Sequence, residues 1–135
     1  MIISMAWTTP AFLAGEKRCT RRDWPPEYAR KWRVDTEHDA WSKLPRTRQG
    51  RRIGRIWLTF DAYPERTDFM PDADYYDEGF AFFDEHPELL PQDKRSPLCG
   101  HKTMLDAFNA WRESKQVLYV VRFRVVEVTG AEERA

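Results

Sequence analysis

The cleanest alternation of apolar and polar positions lies near the end of the chain. Across residues 117–128, Val117, Tyr119, Val121, Phe123 and Val125 share one side and Arg122 and Arg124 the other, which predicts a long strand. A second alternation covers 51–60: Ile56, Leu58 and Phe60 interleave with Arg55, Trp57 and Thr59, predicting a strand with a core face and a partly exposed face. Shorter strands are predicted over 2–5 and 18–24, the latter stopped by Pro25 and Pro26. Helical signals are fewer. Thr8 and Thr9 followed by Pro10 predict a helix start, with a short helix over 10–14 ended by Gly15. A second helix is predicted over 74–83, ending before Pro87. Thr103 is the expected N-cap of a third, in which Met104, Leu105, Phe108 and Trp111 form a core stripe.

Between these elements the pattern weakens. Residues 27–50 carry mixed charge, no sustained period and Pro45, and read as loops and short extended pieces; 86–101 holds three prolines and Gly100 and reads as an irregular loop. Strands first, helices between and a long closing strand predict an α+β domain on a small curved sheet or partial barrel. A chain of 135 residues fits one domain, 1–135, with 25–50 as a basic insertion and 130–135 as a frayed tail.

Composition narrows the function classes. No run of about 18 apolar residues exists to span a bilayer, and residues 1–7 lack a cationic region ahead of a long apolar one, so a cytoplasmic protein with no membrane association is expected. A monomer is expected as well. Cys19 and Cys99 stand outside any metal-ligand spacing, and His38, His86 and His101 are isolated, so neither a metal nor another cofactor is expected.

The zero net charge hides a strong asymmetry. Residues 16–55 hold thirteen Lys/Arg against six Asp/Glu, whereas 56–95 hold three against eleven. A basic segment interspersed with Trp24, Trp32 and Trp41 suits phosphate contact and base stacking; it equally suits a solvated charged face with its tryptophans in the core.

Candidate chemistry sits in the stretch Gly15-Glu16-Lys17-Arg18-Cys19-Thr20-Arg21-Arg22, which is similar to the G-x-K-x-x-T-x-R segment that opens ASCH domains just after their first helix. Asp77-Glu78-Gly79-Phe80 resembles their E-G-F element, and Phe108 to Trp111 with the strand from Val117 resembles their closing helix and strand. The resemblance spans nearly the whole chain, although 25–50 is longer and more basic than in compact members. It implies a PUA-like small β-barrel with flanking short helices, and a cleft between the first helix, the strand after it and the acidic helix. Members are associated with RNA, and some small bacterial ones are similar to amidohydrolases that deacetylate acetylated cytidine with a Lys, a Thr and a Glu. By motif position these are Lys17, Thr20 and Glu78.

The function expected from this resemblance is binding of RNA, single-stranded nucleic acid or a modified nucleobase or nucleoside. The alternative is a hydrolase, either an amidohydrolase on acylated cytidine or a ribonuclease; a protein-interaction domain using the acidic stretch 61–93 is a third possibility. Arg21 and Arg22 are candidate phosphate or substrate contacts, and Trp7 and Trp24 candidates for stacking a base.

Two physical questions accompany the catalytic reading. A threonine hydroxyl needs a neighbouring base, and a lysine serves only if its pKa falls from about 10.4 to near neutrality, roughly 4 kcal/mol against the ammonium. A nearby Glu78 would oppose that fall, and an ordinary charged Lys17 paired with Glu78 is the binding alternative. Residues three apart on a regular strand also face opposite ways, so Lys17 and Thr20 meet only across a bend, which Gly15 permits. Glu78, one turn from Tyr75 and Phe82, faces either a pocket or solvent.

Overall fold

A computed structural model describes residues 1–45 and 48–129. The tail expected to fray, 130–135, lies outside the described residues, as do positions 46 and 47 of the basic segment. The elements are β1 (Ile2–Ser4), α1 (Thr9–Leu13), β2 (Cys19–Arg22), α2 (Pro26–Ala29), β3 (Glu37–Trp41), β4 (Arg52–Leu58), β5 (Tyr63–Arg66), α3 (Asp74–Asp77), α4 (Phe82–Glu85), α5 (Met104–Glu113) and β6 (Val117–Val128). The domain is α+β on a curled half-barrel sheet.

Strand order is β1-β3-β4-β6-β2, with β1 parallel to β3 and the other pairs antiparallel. Twelve residues make β6 long enough to serve several partners. β5 and then β4 follow one edge, at Val117–Val120 and Phe123–Val128, while β2 pairs along the other edge at Tyr119–Arg122. β1 and β2 are left as the terminal strands of the curl. The Arg22 side chain bridges them, its Nη2 donating to the Ser4 carbonyl.

Two apolar clusters carry the burial. One lies on the sheet and gathers Met5, Phe12, Trp32, Ile56, Leu58 and Phe123; the other joins α4 and α5 through Phe80, Phe83, Met104 and Phe108. Each such large side chain contributes about 1.5–3 kcal/mol when fully buried.

β6 and α5 form where the alternation and the capping residue predict them, with the Thr103 hydroxyl accepting from the Asp106 amide at 3.0 Å. Other expectations change. Residues 37–41 form a strand because Glu37 and Asp39 turn outward to pair with Arg55 and Arg52 on β4, while His38 and Ala40 are buried. β5 forms despite Pro64, which an edge strand tolerates. The predicted helix 74–83 is two short helices, broken where Gly79 takes φ +99°.

The 18–24 strand spans only Cys19–Arg22, and α2 follows at Pro26. Thr8 caps nothing: residues 6–8 already form a 3₁₀ turn, and its hydroxyl donates back to the Met5 carbonyl at 2.6 Å. Phe60 lies beyond the end of β4 and is exposed; Leu105 is exposed as well, on the outer side of α5. In β6, Leu118 and Val120 are buried alongside Val121 and Phe123, so the strand is covered on both faces, while Val117 at its start is exposed. Trp32 is buried in the sheet cluster with the half-buried Trp24 packed against it, so in this part of the basic segment the tryptophans serve the core.

Gly54 marks the tightest strand approach. A Cβ there would fall on the Glu127 carbonyl oxygen of β6 and within 2.9 Å of the Phe12 ring. Gly54→Ala therefore forces β4 off β6, and we expect a loss of about 1–3 kcal/mol in urea unfolding. An unchanged midpoint would show that the strands give way freely.

Candidate functional site

A cleft of about 500 Å³ opens at the seam between β1 and β2. Its floor and walls include Lys17, Thr20, Arg21, Arg22 and Glu78, with Trp7, Phe80 and Trp111 as aromatic walls. The local folding explains the convergence. The chain leaves α1 through Gly15 at φ +77°, and β2 begins only at Cys19, so Lys17 precedes the strand and is not bound to its alternation. Because β2 is a terminal strand, side chains from both of its faces reach the seam, and Thr20 lines the cleft together with Lys17.

Glu78 arrives from the opposite direction, at the end of α3, where Gly79 turns the chain. A Cβ on Gly79 would press to 3.1 Å from Ala11 of α1, so the glycine also lets α3 approach the first helix closely. Glu78 is 4% exposed and faces the cleft, not solvent.

Lys17 is 1% exposed. Its Nζ donates to the Glu78 carbonyl oxygen at 2.6 Å and lies 3.5 Å from Glu78 Oε1. Burial lowers its pKa and the Arg22 cation adds to that fall, while Glu78 and Cys19 oppose it; the balance is downward. Cys19 is buried beside Glu78 Oε2, and burial holds its thiol well above the usual pKa. Thr20 Oγ1 accepts from Arg22 Nη1 at 2.7 Å, which fixes the oxygen and leaves its hydrogen to donate elsewhere.

Arg21 and Arg22 both line the cleft, but their Nη groups are engaged within the protein, while Arg21 Nε is buried without a hydrogen-bond partner. Arg21 meets Glu78 Oε2 at 2.7 Å, Asp74 Oδ2 at 2.6 Å and Glu65 Oε1 at 2.7 Å; Arg22 serves Thr20, the Arg21 carbonyl and the Ser4 carbonyl. Arg122, from β6, grips Asp74 with two hydrogen bonds at 3.0 and 2.9 Å and reaches the Tyr63 hydroxyl at 2.8 Å.

Of the two stacking candidates, Trp7 is on the cleft wall, edge-on to Phe80 at 5.2 Å. Trp24 is not among the lining residues: it stacks on Trp32 at 4.9 Å and abuts Tyr28, so core packing claims its face. Trp111, expected in the core stripe, is half-buried and lines the cleft, parallel to Phe80 at 5.8 Å. Sequence reasoning missed Asp74, Glu65 and Arg122; their partner is remote in the chain and nothing local marks them. Among the described residues no group of three or more His, Cys, Asp or Glu side chains is placed to hold a metal ion. Among the same residues no helix is long and apolar enough to cross a membrane.

No family model matches the chain, and no curated protein matches it. Among solved structures it is similar to protein EF3133 from Enterococcus faecalis V583, of the family DUF984. The likeness covers 93% of this chain and 76% of that one, with a TM-score of 0.53 and 13% sequence identity. At that identity what is shared is the fold: a small α+β β-barrel domain with a DUF984 protein as its structural neighbour.

Proposed function

We propose that this is an ASCH-type, PUA-like domain whose seam cleft binds a modified nucleobase, presented as a nucleoside or within single-stranded RNA. The observation that carries the reading is the meeting of Lys17, Thr20 and Glu78, distant in sequence, in one aromatic-walled cleft. Trp7, Phe80 and Trp111 offer apolar surface to a flat heterocycle, and the polar groups beneath them offer it directional contacts. With Arg21 and Arg22 each serving three oxygens, their Nη groups are committed within the protein. This favours the base over the backbone as the element recognised, and disfavours a ribonuclease.

Turnover of an acylated base is the second reading, favoured by the lowered pKa of Lys17. A neutral amine takes the Thr20 hydroxyl proton as the oxygen attacks the acyl carbonyl. The base leaves with that proton as its free amine, and water then cleaves the threonyl ester to release the acid. Arg22, bonded to the same hydroxyl oxygen, stabilises the charge that develops on it.

The test is to incubate the protein with acetylated cytidine, cytidine and a single-stranded RNA, following acetate release and binding. Acetylated cytidine should bind more tightly than cytidine. Thr20→Val should retain that binding and lose release by about 100-fold or more. Binding of neither nucleoside nor RNA overturns the function; binding with no release by the wild type overturns the second reading alone.

A further inference from the structure

We propose that Arg21 is a positioning residue that holds the Glu78 carboxylate and so keeps it from closing on the Lys17 amine as a short ion pair. The inference rests on the reading of the cleft given above and adds a residue that the catalytic motif does not include.

Lys17, Cys19 and Arg21 recur at every second position, and all three reach Glu78. Two cations share one buried carboxylate, one at each oxygen, and Arg21 holds it the more closely. Arg21 Nη1 is 2.7 Å from Oε2, whereas Lys17 Nζ is 3.5 Å from Oε1 and spends its short 2.6 Å bond on the Glu78 main-chain carbonyl. A guanidinium cannot shed its proton at any relevant pH; an ammonium can, and burial favours that release from Lys17.

Arg21 is itself held from behind. Its Nη2 is fixed by Asp74 and Glu65, and Asp74 is fixed in turn by Arg122, so the fork cannot follow Glu78 toward the lysine. The groups that act on the Lys17 amine are Glu78, the protonated Cys19 thiol and Arg22, and of these only Glu78 could pair with it.

The experiment is a pH titration of the ligand-free protein carrying ¹³C at the lysine Cε. The Lys17 signal is identified by its loss in Lys17→Met made in each background. In the wild type Lys17 should titrate at lower pH than the other five lysines. In Arg21→Lys, which keeps a positive charge but loses the fork, Glu78 is freed to turn toward Lys17, and the titration should move up toward the others. An unmoved titration in the folded variant overturns the proposal. If that variant does not fold, the Arg21 Nη resonances of the wild type decide: two slowly exchanging signals are expected from a locked fork, and one averaged signal overturns it. No substrate enters these measurements. Failure of the wild type to turn over any nucleoside would end the turnover reading and leave the titration result standing, whereas an unmoved titration would end this proposal and leave the cleft's function intact.

Discussion

Asp74→Ala is expected to cost about 3–5 kcal/mol, the largest stability loss of any single substitution considered in this protein. The carboxylate is 1% exposed and accepts three hydrogen bonds from two guanidinium groups, Arg21 and Arg122. Truncation leaves the buried Arg21 and the half-buried Arg122 without their shared partner, and neither can neutralise itself by losing a proton. A domain of this size has only about 5–15 kcal/mol in total, so the variant should unfold at a much lower urea concentration and populate unfolded chain near body temperature. Asp74→Asn keeps the shape and two of the acceptor lone pairs and should fall between the two. If Asp74→Ala unfolds within 1 kcal/mol of the wild type, the network is not the buried, desolvated structure described above.

That network also explains why the site was only partly legible in the chain. Lys17 and Thr20 stand in one short motif and Glu78 in another, and a reader of the sequence can place all three. Glu65 and Asp74 lie 44 and 53 residues from Arg21, and Arg122 is further still; the register of β2 and β5 on β6 and the packing of α3 against β2 bring them together. Arg21, read from sequence as a phosphate or substrate contact, is thereby committed to three carboxylates.

The fold shows the same division. β6 and α5 were legible because an uninterrupted alternation and a Thr cap are local signals. β3 was legible only as one of the short extended pieces of 27–50, because its outward positions carry Glu37 and Asp39, whose partners Arg55 and Arg52 arrive from β4. Trp24 invited a stacking role, yet an aromatic ring next to Trp32 and Tyr28 is satisfied by its neighbours. Each gap is of one kind: a remote partner decides the use of a polar or aromatic residue.

Lys17→Met separates stability from activity in the opposite sense to Asp74→Ala. A buried amine whose pKa is lowered by burial is held at a cost to the fold, and a methionine of similar length removes that cost. Against this, the Glu78 carbonyl loses its donor, a penalty of about 1–3 kcal/mol. The two nearly cancel, so stability at neutral pH should change by no more than about 2 kcal/mol in either direction. The pH dependence fixes the sign. The unfolded lysine keeps its proton up to about pH 10.4, while the folded one releases it earlier; over that interval the unfolded chain binds more protons, and wild-type stability rises with pH. Lys17→Met lacks this slope, so the wild type should gain on the variant as pH climbs toward 10 and lose that advantage as pH falls through the folded titration. Release of acetate from acetylated cytidine should drop by about 100-fold to 10,000-fold, the usual cost of losing a general base. Paired urea-unfolding curves from pH 6 to 10, run beside the turnover assay, test both halves. A wild type and variant with parallel pH profiles would mean that Lys17 keeps an ordinary proton affinity in the fold, and with it the base required for the reaction would be gone.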